Sequence, residues 1–393
     1  MSPLLSPRIQ QLAPSPTVVL DSKTKDLQAR GVDVINMTVG EPDFPTPLHI
    51  CNAAKNAIEK GYTHYTKVDG IDPLKEAIVQ KYKEEQGLSY TPSQVVVSSG
   101  AKQVLYNLFQ ALISKGDEVI IPSPYWVSFP EQVKLAQGVP VFVETREEEG
   151  FKMTPADLEK AITRKSKLLL LNSPCNPTGS VYTTEELEQL VPIIEKHQLW
   201  VVSDEIYEKL RYDGKKTKSI ASISEQMYQS TIIINGVSKA YAMTGWRIGY
   251  GVGPKEIIQG MVKLQGQSTS CPNSIAQYAS LEALTGDQSP LLEMIRIFKE
   301  RRNRIVEGLH RIEGISCAVP EGAFYVFLNV IGLFTRFQGS MEVSEFLLEK
   351  GKVATVPGIA FGREGYLRLS YALSMEQIEL ALLRIEQALS KGK

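Results

Sequence analysis

Asn235-Gly236-Val237-Ser238-Lys239-Ala240-Tyr241-Ala242-Met243-Thr244-Gly245-Trp246-Arg247-Ile248-Gly249 is the stretch on which the reading of this chain turns. It follows Thr231-Ile232-Ile233-Ile234, an apolar β-branched run of the kind that forms a buried parallel strand. Small residues then crowd around one lysine, and an arginine stands eight positions further on. A Schiff-base lysine needs close backbone approach, hence small neighbours, and partial desolvation so that its amine is neutral and nucleophilic. An arginine on the same side of such a site can hold a phosphate through two parallel hydrogen bonds. The plainer alternative is a surface lysine and a solvated arginine in a glycine-rich loop. For a lone lysine that alternative would win; the joint pattern favours a site.

Length and composition set the frame. A chain of 393 residues suits a large domain plus a smaller one. With 43% hydrophobic and 22% charged residues it has the balance of an ordinary soluble globular protein. The net charge of −1 gives no field to attract nucleic acid or an anionic membrane, so neither is expected as a partner. Cys51, Cys175, Cys271 and Cys317, like His49, His64, His197 and His310, lack metal-ligand spacing, so no metal site is expected. The thiols read as free in a reducing compartment. The N-terminus lacks a secretory pattern, and no run approaches the ~18 apolar residues of a membrane span, which makes the cytoplasm the expected location.

Further candidates lie where apolar runs meet polar turns. Residues 1 to about 45 look irregular to helical and contain a short strand running into Gly40-Glu41-Pro42-Asp43-Phe44. Asp72 is placed to cap a helix that Pro73 starts. Strand Gln94–Ser98 leads through Ser99-Gly100 into a helix from Ala101 to Ile113, a junction whose free N–H groups can seat a phosphate. Strand Asp117–Ile121 delivers Tyr125 and Trp126, where α/β sheets bind ligands and a flat partner could stack on a ring. Strand Lys167–Leu171 runs into Asn172-Ser173-Pro174-Cys175-Asn176-Pro177-Thr178-Gly179, a loop that proline stiffens and that sometimes holds a cis bond. Thr183 or Thr184 with Glu186 opens the next helix as a capping box. Strand Leu199–Ser203 then presents Asp204, a carboxylate suited to keeping a pyridinium nitrogen charged in a dry pocket. The glycines at 249, 251 and 253 lack the dinucleotide-binding spacing. Lys-, Arg- and Glu-rich helices fill roughly 289–313, one of them long and bridging the domains. After them come strands at 315–319, 322–328, 353–356 and 366–372 and helices at 343–350 and 375–389, an α+β unit. Arg368 lies among alternating apolar residues, where a charge needs a reason.

Six of these motifs, in order and over nearly the whole chain, resemble the class I/II aminotransferases that use pyridoxal 5′-phosphate, nearest the bacterial aspartate/prephenate subgroup. The resemblance implies an α/β fold of fold type I. A large domain, residues 46–288, would carry a mostly parallel seven-stranded sheet flanked by helices. A smaller α+β domain would be built from the N-terminal arm, 1–45, and from 289–393. It also implies a homodimer with a shared active site, and a ping-pong transamination between an amino acid and a 2-oxo acid, aspartate with 2-oxoglutarate/glutamate first. By resemblance Lys239 carries the cofactor and shuttles the proton, Asp204 faces the ring nitrogen, and Tyr207 and Asn176 donate to the ring's phenolate oxygen. Trp126 stacks on the ring. Arg247, Ser238, the turn Ser99-Gly100-Ala101-Lys102 and Tyr65 of the neighbouring subunit hold the phosphate, while Gly40, Asn176 and Arg368 receive the α-carboxylate. Two departures stand out. Many relatives carry a serine at the place of Gly236, and relatives that accept prephenate or aspartate through a distal carboxylate carry a lysine at the place of Ala13, a departure that bears on dicarboxylate specificity and on prephenate use especially. Lys67, supplied by the neighbouring subunit, could replace that lysine toward a second carboxylate. Alanine, aromatic and prephenate aminotransferases, and a lyase or decarboxylase on the same fold, are the alternatives.

Overall fold

A computed structural model describes residues 4–390. Seven strands make the central sheet, in the order Val95–Ser98, Gly249–Val252, Thr231–Gly236, Trp200–Asp204, Ser166–Asn172, Glu118–Ser123 and Val139–Glu144. Gly249–Val252 runs antiparallel to both neighbours, and the remaining pairings are parallel. Thr231–Gly236 is buried at every position, which requires helices on both faces. On one face Ala101–Leu112 turns Val104, Leu105, Leu108 and Phe109 inward onto Val96, Ile121 and Ile232. On the other, Thr184–Lys196 sets Leu187, Leu190 and Ile194 against Ile120, Leu169 and Val201. Thr183 caps that helix as expected, accepting from the Glu186 amide at 3.2 Å while Glu186 accepts from the Thr183 amide at 2.8 Å.

The smaller sheet is antiparallel, ordered Val356–Pro357, Tyr366–Ser370, Tyr325–Asn329 and Ser316–Cys317. Its companion is a two-stranded parallel pair, Ile35–Asn36 with Val353–Ala354. The single strand expected at 353–356 therefore breaks at Thr355 and serves two sheets. Met37 then donates to Ala354 and accepts from the Ser370 amide (3.0 and 2.9 Å), which seats the segment leading to Gly40. Helix Ser289–Leu309 buries Leu291, Met294, Phe298, Ile305 and Leu309 in a core that includes Tyr250 of the large sheet and Leu369 of the small one. It bridges the two sheets, as its length suggested.

Two local expectations need correction, and two helices were not foreseen. Asp72 is the first residue of its helix, with Ile71 as N-cap, because its carboxylate is taken by Lys67 at 2.6 Å and Lys75 at 3.2 Å. The helix expected at 343–350 starts at Ser340, and its end widens into the π-helix Leu347–Gly351. Helices Leu48–Glu59 and Ser274–Thr285, absent from the sequence reading, pack on each other. They bury mainly small residues, such as Ala54, Ala57, Ala276 and Ala279, whose apolar signal is weak. Among the described residues no helix is long and apolar enough to cross a membrane.

Gly249 lies so close to the neighbouring turn that an added Cβ would stand 2.5 Å from the Gly100 carbonyl carbon. Gly249→Ala should lower stability by about 1–3 kcal/mol, as overpacking does. Gly260 has only the Ala111 methyl nearby, at 3.7 Å, so Gly260→Ala in the same region should raise stability by up to about 1 kcal/mol. Thermal melts of the two variants check the pair.

Candidate active site

The strand ends and the 36–41 segment enclose a cavity of about 410 Å³. Lys239, Asp204, Tyr207, Asn176, Trp126, Ser238, Arg247, Arg368, Gly40, Ala101 and Lys102 all line it. Residues from widely separated parts of the sequence therefore meet at one end of the large sheet, where such sheets bind ligands. The expected Ser99 and Gly100 stand just behind the wall, and Tyr65 stands apart from it.

Lys239 follows the strand Thr231–Gly236 by three residues, and its Nζ donates to the Gly40 carbonyl at 2.5 Å. Burial brings its pKa down to about 8; Glu41 and Asp204 push it up, and Arg247 and Arg368 push it down. An amine in that range has a sizeable neutral fraction near neutrality, which a nucleophile needs. Gly236, where a serine was expected, has no room for a side chain: a Cβ would sit 2.9 Å from the Ile248 carbonyl oxygen and 3.0 Å from the Gly249 Cα. Ser238 is buried on the cavity wall and can supply the hydroxyl instead.

Asp204 closes its strand with one carboxylate oxygen accepting the Ile206 amide at 3.2 Å, and it has no ion pair among the described residues. Burial raises its pKa to about 7, opposed by that amide and by Lys239. A cationic nitrogen placed beside it would offset the burial and hold it ionised. Tyr207 shares a 2.8 Å hydrogen bond with Tyr325, and burial pushes both phenols up.

Arg368 is buried in the small sheet without an acidic partner among the described residues. It donates to the Asn176 side-chain oxygen at 3.0 Å and to the Thr38 carbonyl at 2.6 Å, while its Nε has no partner. Its guanidinium faces the rings of Tyr325 at 4.5 Å and Phe361 at 5.0 Å. A desolvated guanidinium satisfied only by neutral groups is a ready receptor for a carboxylate. Asn176 sits between two cis prolyl bonds, Ser173-Pro174 and Asn176-Pro177, and its amide donates to the Asn172 side chain at 2.9 Å.

Arg247 adopts a left-handed conformation (φ 57°) and donates to the carbonyls of Thr244 at 2.9 Å and Ser99 at 3.3 Å. Its guanidinium lies against Gly100, where φ is +90° and a Cβ would overlap it. Arginine, glycine turn and the start of helix Ala101–Leu112 thus form one anion cradle. Lys102 points elsewhere, its ammonium over the Trp126 ring at 4.9 Å, and its pKa is lowered by burial and by Arg247. Tyr65 is 90% exposed, and Lys67 is paired with Asp72.

The donor set fits pyridoxal phosphate: a desolvated amine, a buried carboxylate for a ring nitrogen, a flat indole and an arginine cradle for a dianion. Sequence reasoning missed Tyr325, Asn172, Thr38, Glu41, Thr244 and the cover from Thr17, Val18 and Asp21 of helix Pro16–Ala29. Glu41 could have been found from its place in the Gly-Glu-Pro turn; it accepts from the Thr244 hydroxyl at 2.6 Å.

A family model described as aminotransferase class I and II matches residues 32–385. The chain is 50% identical to an aspartate aminotransferase of Geobacillus stearothermophilus, with 98% of each chain covered. It is 47% identical to an aspartate/prephenate aminotransferase of Nitrosomonas europaea, covering 98% of this chain and 100% of that one. The structure of the aspartate aminotransferase from Rhizobium meliloti superposes with a TM-score of 0.95 at 40% identity, over 99% of both chains. That of the Thermus thermophilus aspartate aminotransferase with maleate gives 0.94 at 44%, over 98% and 99%.

Because the Lys239 pKa is lowered to about 8, covalent capture of an aldehyde by the cofactor-free protein should rise with pH and be half-maximal near that value. Glu41→Gln should move the midpoint downward, since Glu41 opposes the depression. A midpoint near the ordinary lysine value would contradict this assignment.

Proposed function

The chain belongs to the class I and II aminotransferases, and from that membership we propose that it transfers the amino group of L-aspartate to 2-oxoglutarate, forming L-glutamate. Its fold is fold type I of the pyridoxal-phosphate-dependent transferases, and pyridoxal 5′-phosphate is its cofactor. When bound, that group supplies the electron sink that makes an amino acid's α-proton removable. The protein's own residues do the rest. Arg247, Ser238 and the turn after Ser98 would hold the phosphate, and Trp126 would stack on the ring. Asp204 would stay ionised next to the cofactor's ring nitrogen, and Tyr207 and Asn176 would serve the ring's phenolate oxygen. Arg368 and Asn176, with Gly40, hold the substrate α-carboxylate, which points the α-hydrogen at Lys239. The Nζ of Lys239 takes that proton from Cα and later delivers it as an acid.

The observation that carries this reading is Arg368, a buried guanidinium without an acid among the described residues, facing the same cavity as the depressed lysine. A second carboxylate needs a second cation. Lys102 lies inside the cavity, without an acidic partner among the described residues, and we assign it that role ahead of Lys67, whose ammonium is already held by Asp72. Ala13 brings only a backbone amide, which donates to Glu131 at 3.1 Å, so aspartate is favoured over prephenate. We place the enzyme in the cytoplasm as a homodimer. The free thiols support the first, and Tyr65, exposed on the surface, supports the second. Tyr65 then reaches the partner's phosphate site.

Half-reactions followed by the cofactor's absorbance test this. Aspartate and glutamate should convert the holoenzyme rapidly and alanine much more slowly. Lys102→Met should raise KM for aspartate by about ten- to a hundredfold, the loss of one charge-assisted hydrogen bond, and leave alanine unchanged. If Lys67→Met did this and Lys102→Met did not, the second carboxylate would be held from the neighbouring subunit. Equal turnover of alanine and aspartate would remove the aspartate assignment.

A further inference from the structure

A second cavity, of about 690 Å³, shares no lining residue with the active site. It opens between the connector at Val32-Asp33, the π-helix Leu347–Gly351 and the C-terminal helix Met375–Ser390. Four cations line it, Arg336, Lys350, Lys352 and Arg384, against a single carboxylate, Asp33. The chain as a whole carries a net charge of only −1, so this is a local concentration of positive charge.

The site is built from separate segments, and two of its cations are fixed. Arg384 donates to the Asp33 carbonyl at 2.9 Å and pairs with its carboxylate. Arg336 donates to the Leu389 carbonyl at 2.7 Å, near the end of the C-terminal helix. The two lysines are available: neither Lys350 nor Lys352 has an ion-pair partner among the described residues. Lys352 caps the C-terminus of the π-helix at φ 54°, the left-handed conformation common at helix ends. Like charges gathered around one cavity raise one another's energy, and an anion seated among them offsets that cost. Lysine ammonium groups suit phosphate and carboxylate oxygens alike, and fixed guanidinium forks add direction.

We propose that this groove binds a small polyanion, a compound carrying two or more phosphate or carboxylate charges. The proposal is independent of the transamination chemistry. It also has a structural consequence. The Lys352 carbonyl accepts from the Ile35 amide at 2.9 Å, so an anion held by Lys352 sits beside the strand pair that seats Thr38 and Gly40 in the active-site wall.

Calorimetric titration of the holoenzyme with pyrophosphate and, separately, citrate tests it. The proposal expects one saturable site per chain. Affinity should fall about tenfold or more in the exposed double variant K350E/K352E, whose aspartate turnover stays normal, and should be kept in Arg368→Gln. Binding of pyrophosphate alone would identify a phosphate site, and binding of citrate alone a carboxylate site. Acetylation mapped by mass spectrometry should show Lys350 and Lys352 protected by the bound anion and the exposed Lys115 not. Titrations of native enzyme and K350E/K352E that coincide, or binding lost in Arg368→Gln and kept in K350E/K352E, would overturn the proposal.

Discussion

An amine that must be neutral to react is kept out of water here, and the rest of the site is arranged around that requirement. Lys239 reaches its depressed state through burial, with Arg247 and Arg368 adding to the effect and Glu41 and Asp204 limiting it. None of these groups acts alone. The arginines that disfavour the ammonium are the same groups that face the cavity without an acid, so ligand anions arriving there relieve both. Asp204, its pKa raised to about 7 by burial, has no ion pair among the described residues.

The cost of desolvating Arg368 is met by neutral groups held rigidly by both sheets. Tyr325↔Ser370 and Phe327↔Arg368 are register partners in the small sheet, so Tyr325 and the arginine belong to one rigid surface. Across the cavity, Asn176 is fixed by Asn172, whose side-chain amide donates to the Asp204 carbonyl at 3.1 Å. Arg368 is therefore tied through two asparagines to the strand end that carries Asp204. A displacement of either would move both, which is how a site built on sheet ends keeps its geometry.

Much of this was legible in the sequence because the important residues follow buried parallel strands, and such strands announce themselves as apolar runs. Asp204 ends one such strand, and Lys239 and Asn176 stand three and four residues past others. Arg368 was legible for the opposite reason, as a charge inside an apolar strand that is wholly buried. Less was visible where tertiary contact decides. Tyr325 looks like one more apolar strand residue until its hydroxyl is seen 2.8 Å from that of Tyr207. Asp72 carries the composition of an N-cap, yet two lysines claim it. The alanine-rich helix Ser274–Thr285 has almost no amphipathic pattern, because small residues let it pack closely against Leu48–Glu59. Gly236 was noted as a departure, and only the facing strand explains why nothing larger can stand there.

The most direct test is to reduce the cofactor-loaded enzyme with borohydride, digest it and map the modified peptide. The account predicts a single pyridoxyl group on Lys239, with Lys102 unmodified. A label on any other lysine, or native protein that carries none, would contradict it.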